Sequence, residues 1–173
     1  DSKTMERKHI TNMEDAVRFL PGVVMSSNQL GAFQRYSVRG TTDAVFAFDG
    51  IRDDRTLLNT VPFGDLSSVE SIEVIKGPAS VLSGYSVMGG VINIIRKKAS
   101  AEFTANASVS YGSWDQKEAT VGFGGKLFGP LNYRANMHYA NGDGYRMVNA
   151  DRFSGLFAIG MEVTKKGYLE ANV

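Results

Sequence analysis

FTANASVSY, residues 103–111, alternates without a break: Phe103, Ala105, Ala107, Val109 and Tyr111 fall on one face of an extended strand, and Thr104, Asn106, Ser108 and Ser110 on the other. The pattern repeats downstream. In EATVGFGGKL (118–127), Ala119, Val121, Phe123 and Leu127 oppose Thr120, Gly122, Gly124 and Lys126. In LNYRANMHY (131–139), Leu131, Tyr133, Ala135, Met137 and Tyr139 oppose Asn132, Arg134, Asn136 and His138. In RFSGLFAIGMEVT (152–164), Phe153, Phe157, Ile159, Met161 and Val163 share a face, and YLEANV (168–173) begins a fifth strand. Such lengths match the roughly nine to eleven residues of a transmembrane barrel strand. The connections alternate as well: SWDQ and NGDGYRMVNAD are polar, whereas FGP and KKG are tight, as the two ends of an outer-membrane barrel require. Phe103, Tyr111, Trp114, Phe128, Tyr133, Tyr139 and Phe153 stand near strand ends, where interfacial aromatic girdles form. A soluble β-sandwich, such as a carbohydrate-binding module, shares the alternation. Strand length and aromatic placement favour lipid.

The first hundred residues differ in kind. Thr11 with Glu14 predicts a capping box, Met13, Val17 and Leu20 then lie on one helical face, and Pro21-Gly22 stops the run. Short strands are expected at 22–25, 36–39, 45–48, 71–75 and 91–96, separated by loops rich in Gly, Asn, Asp and Pro. The expectation is an α+β domain over residues 1–100, followed by the first four to five strands of a transmembrane antiparallel barrel over 101–173.

Composition excludes more than it assigns. Nineteen Lys and Arg against eighteen Asp and Glu give a net charge of +1 over 173 residues, so no strong field argues for nucleic acid. With no cysteine, disulfides and thiolate chemistry are excluded, and His9 and His138 lie too far apart for a local metal motif. No apolar run approaches the roughly twenty residues of a membrane helix, which leaves a barrel untouched. The segment IEVIKGPASVLSG (72–84) offers a lysine at a strand-to-helix turn, but Lys76 precedes the glycine and Pro78 lacks an N–H, so a phosphate cradle is not met. Asp53 and Asp54 are adjacent in a loop with no marked partner carboxylate, so no glycosidase is expected, and with Asp43 they do not predict a metal site because Arg52 and Arg55 neutralise the loop. No cofactor and no enzymatic activity are assigned.

RYSVRG, VFAFDGIRDD and SVESIEVIKGPASVLSGYSVMGGVINIIRKK, in that order, resemble the plug-domain signatures of TonB-dependent outer-membrane receptors; YGSWD and GGKLFGPLNYR resemble the first barrel hairpins of the same family. Ser83 departs where the family often has tyrosine, and Arg96 where threonine is common. The resemblance implies a plug seated in a 22-stranded barrel, of which this chain holds the opening part. The signal peptide, TonB box and first plug strand of the family are not found upstream of the helix, so a clipped start is expected.

What the resemblance implies for function is import of a scarce ligand across the bacterial outer membrane, driven by TonB. Arg39 and Lys76 take the place of the family's basic plug residues that face barrel carboxylates. Phe33, Gln34, Arg52, Arg55, Leu57, Leu58 and Tyr85, in loops that face outward by chain order, are the candidate ligand contacts. A ferric siderophore is the favoured cargo, because Arg52 and Arg55 suit an anionic chelate and Leu57 and Leu58 its organic shell. Haem would ask for His or Tyr ligation, of which these loops hold only Tyr85; an oligosaccharide would ask for more stacked aromatics. Haem, cobalamin or oligosaccharide import, or a mainly signalling receptor, share these plug signatures.

Overall fold

The structure is a computed structural model and describes residues 1–29, 33–41, 44–53, 66–77, 89–142, 151–164 and 167–172. It divides into two compact units, Asp1–Arg96 and Lys97–Val173.

The first unit opens with two short helices, α1 (Ser2–Arg7) and α2 (Met13–Val17). The cap of α2 is Asn12, not Thr11: its Oδ1 accepts from the Asp15 N–H at 2.9 Å and its Nδ2 donates to the Asp15 carboxylate at 2.9 Å. An Asx side chain one residue later caps the N–H three positions on as the expected Thr would, but the return bond runs between the two side chains and not to the backbone N–H of the cap. Two strands, β1 (Val23–Gln29) and β2 (Phe33–Val38), form an antiparallel hairpin. A separate mixed sheet holds β3 (Ala44–Phe48), β4 (Ile51–Arg52), β5 (Val69–Lys76) and β6 (Gly90–Arg96) in the order β4-β3-β6-β5, with β3 and β6 parallel.

The strand cores fall close to expectation, yet β1 and β2 extend well into the stretch 26–34 read as a loop, so Phe33 and Gln34 open a strand. The core joins both sheets and α2: Met13, Tyr36, Val38, Phe46, Ile92 and Ile94 are buried, with Tyr36 meeting Phe46 edge-on at 5.7 Å. Burial pushes the Tyr36 phenol well above its ordinary range.

Asp49 and Gly50, both at positive φ, turn β3 into β4, as the Asp-Gly dipeptide demands. That turn is tied to β6. Arg96 donates from Nε to Asp49 Oδ2 at 2.7 Å and from its backbone N–H to Oδ1 at 2.9 Å, while the Gly50 N–H donates to Asn93 Oδ1 at 2.9 Å. Arg96 thus closes a local lock of its own. Gly90 starts β6 at φ 139°, and a Cβ there would stand 2.5 Å from the Ile75 carbonyl oxygen. Gly90→Ala in the full-length protein is therefore expected to destabilise this unit by about 1 to 3 kcal/mol, read as an earlier urea midpoint for its unfolding. An unchanged midpoint would show that the β5–β6 contact relaxes freely.

The second unit is an antiparallel meander, β7 (Thr104–Tyr111), β8 (Lys117–Phe128), β9 (Leu131–Asn141), β10 (Arg152–Thr164) and β11 (Gly167–Asn172), with each strand paired to its neighbours in chain order. The register carries the alternation across the sheet: Asn106 faces Gly122, Gly122 faces Asn136, and Val121 faces both Ala107 and Met137. Among the described residues the sheet does not close, and β7 and β11 are its edges.

Candidate functional site

Burial in the second unit is inverted relative to a water-soluble sheet. Val121, Phe123, Met137, Tyr139, Phe157 and Ile159 are all exposed, whereas Asn132, Asn136 and His138 are only 3%, 1% and 5% exposed. The alternation made a solvent-facing polar side equally available to a sandwich; the structure puts that side inward. Phe123 and Tyr133 meet edge-on at 6.2 Å on the outer face. On the inner face His138 Nδ1 lies 3.0 Å from the Thr120 hydroxyl, and the side-chain oxygens of Asn106 and Asn136 both approach within 2.5 Å of where a Gly122 Cβ would stand. A wall with apolar side chains outward and amides inward suits lipid on one side and a polar lumen on the other.

The first unit gathers two cations. Arg39 follows β2 in a tight turn with Gly40, both at positive φ, and its N–H donates to the Gly22 carbonyl at 2.8 Å. Lys76 ends β5. Their side chains converge over Gly22: Arg39 Cγ lies 3.9 Å, and Lys76 Nζ 4.0 Å, from the position of a Cβ at residue 22. Thirty-seven positions apart in sequence, the two are brought together because β2 and β5 both end at this edge. Gly22, placed in sequence as a helix stop and the start of a short strand, is the floor between them. Among the described residues no ion pair reaches either cation, and like charges placed side by side favour a carboxylate between them.

Of the expected ligand contacts, Arg55, Leu57, Leu58 and Tyr85 lie outside the described residues. Phe33 and Gln34 stand at the start of β2. Arg52 is in strand β4 opposite Ala47, not in a loop, and its side chain is half-buried. Among the described residues no cluster of His, Asp or Glu could hold a metal ion. Sequence reasoning missed the Asp49–Arg96 pair and the buried Asn136 and His138. The Asp-Gly turn was a signal for the first; the second needed the sense of burial.

A family model, the TonB-dependent Receptor Plug Domain, matches residues 1–91. The ferric enterobactin receptor of Pseudomonas aeruginosa is 31% identical over 80% of this chain and 22% of its own length. The ferric-pyoverdine 358 receptor of Pseudomonas putida is 26% identical over 84% of this chain and 18% of its own. The vitamin B12 transporter BtuB of Vibrio cholerae is 34% identical over 69% and 20%. Among solved structures, the ferric-catecholate import receptor Fiu of Escherichia coli superposes with a TM-score of 0.81 at 26% identity, covering 98% of this chain and 25% of that one. The Pseudomonas aeruginosa receptor FpvA, bound to a ferric pyoverdine, gives 0.83 at 24% identity over 97% and 23%. This chain thus spans about a fifth of the length of these curated relatives. A matched plug running into a wall whose apolar side faces out leaves no soluble sandwich to consider, and the chain belongs to the TonB-dependent receptors of the bacterial outer membrane.

Proposed function

We propose that the protein carrying this chain imports a ferric siderophore across the outer membrane, with residues 1–100 as the gating plug, residues 101–173 as the opening strands of the barrel, and TonB as the source of work. It is a transporter and not an enzyme in this reading. The observation that carries it is the inverted wall joined to a plug: such an assembly has a polar lumen that its own N-terminal domain can occupy. Relatives named for ferric pyoverdine and ferric enterobactin support the cargo class.

Within this reading Arg39 and Lys76 hold the plug to carboxylates of the barrel. Arg52, Arg55, Leu57, Leu58, Phe33, Gln34 and Tyr85 remain the candidate cargo contacts, with Arg52 presented from strand β4 and not from a loop. The similarity to a vitamin B12 transporter keeps cobalamin as the second reading. A strain lacking the gene, grown under iron limitation on a panel of chelates, is expected to lose growth on at least one ferric siderophore and to recover it with the intact gene. Loss of cobalamin-dependent growth with siderophore use unimpaired would overturn the iron assignment.

A further inference from the structure

Residues 97–103, the opening of the second unit, link β6 to β7, and side chains from β11 hold them. The Tyr168 hydroxyl donates to the Ala99 carbonyl at 2.7 Å and lies 2.9 Å from Glu170 Oε2, so one phenol proton sits between two acceptors. The same carboxylate oxygen accepts from the Ala99 N–H at 3.4 Å. Both backbone polar groups of Ala99, itself 3% exposed, are therefore satisfied by one Tyr-Glu pair two residues apart on one face of β11. Lys98 adds its ammonium 6.0 Å from the Tyr168 ring.

Gly160 makes this possible. The register places it opposite Glu170, and a Cβ there would fall on the Tyr168 ring, so the phenol lies flat across β10 only because residue 160 has no side chain. At the other end of the linker Phe103 packs over Gly125 of β8, whose Cβ would stand 3.4 Å from the Phe103 ring. With the Tyr168 hydroxyl above β10, Ala99 sits three strand spacings, about 14 Å, from β7. The five residue steps from Ala99 to Thr104 reach at most about 17 Å, which leaves the linker little slack.

We propose that Tyr168, Glu170 and Gly160 form a clamp that fixes the interdomain linker to the inner wall of the barrel, so that displacement of the N-terminal unit is absorbed upstream of Ala99 and is not transmitted to β7. The clamp itself stands on the contacts above; its role as a strain break rests on the proposed gating by the plug.

The test uses the full-length receptor with a nitroxide at Ser100→Cys, and heat-modifiable electrophoretic mobility to verify that the barrel has folded. Tyr168→Phe keeps the ring and removes the proton; Gly160→Ala displaces the ring and spares the polar atoms. Each is expected to mobilise the label and to speed exchange of the Ala99 amide by about tenfold, the factor that follows from losing one hydrogen bond. Tyr139→Phe, on the outer face, is expected to do neither. In urea sufficient to unfold the plug but not the barrel, β7 amides are expected to stay protected in the parent and to lose protection in Tyr168→Phe. An immobile label in the folded Tyr168→Phe variant overturns the clamp, and equal β7 protection in parent and variant overturns the strain break. Neither readout depends on import, so failure of the siderophore assignment leaves both decisive.

Discussion

Arginine at Val121 or Met137 is expected to destabilise the full-length barrel by roughly 2 to 4 kcal/mol, the cost of a cation on the lipid face near the bilayer midplane. The two residues face each other across β8 and β9 near the middle of both strands, and both side chains are exposed. Toward the membrane interfaces the same substitution should fall to about 1 kcal/mol or less, so Leu127→Arg, one residue before the end of β8, serves as the depth control. The proper control on the other face is Ser108, which points inward and is exposed. Arginine at Thr120 or Asn136, on the same polar face, is expected to cost more than at Ser108: Thr120 bonds His138, and Asn136 is packed over Gly122. There the cost comes from close packing and a broken polar contact, not from lipid. Reversible unfolding in lipid vesicles measures all of these, and an equal penalty at Val121 and Ser108 would contradict the assignment of the outer face.

Removing both cations over Gly22 should have an effect of similar size. Arg39→Ala with Lys76→Ala, in the full-length receptor, is expected to weaken anchoring of the plug by about 3 to 5 kcal/mol, because loss of one side of a buried ion pair leaves the other side's charges uncompensated. Within this chain Arg39 is exposed and Lys76 half-buried, and the figure is that of a pair covered by the complete barrel. Hydrogen exchange across β2 and β5 reports the result directly. Protection at the parent level would mean that water, not carboxylate, surrounds both charges. Gly22→Val supplies a separate probe: Gly22 has φ 79°, and a branched side chain there would be strained and would also push the two cations apart. It should therefore reduce protection while leaving both charges in place.

Much of this architecture follows from local pattern. Alternation over 103–111, 118–127, 131–139 and 152–164 is enough to place four strands and to say which residues share a face, since side-chain direction in a strand depends only on parity. The Asp-Gly turn at 49–50 and the apolar run at 90–96 likewise follow from backbone preferences that neighbours in sequence impose. Helix boundaries were less legible: α1 lacks the long apolar stripe that marks a helix, and Asn12 and Thr11 are both competent caps whose choice depends on how the chain enters α2. Parity cannot say which face is covered. That decision belongs to contacts between residues far apart, and it is the structure that buries Asn132, Asn136 and His138 while leaving Phe123 and Phe157 outside. The meeting of Arg39 with Lys76 over Gly22, the Asp49–Arg96 lock and the hold of Tyr168 on Ala99 are of the same kind, spanning 37, 47 and 69 positions. Each depends on strand order and register, which the sequence encodes only through the sum of its packing, so residue type could nominate these side chains but only the tertiary structure could pair them.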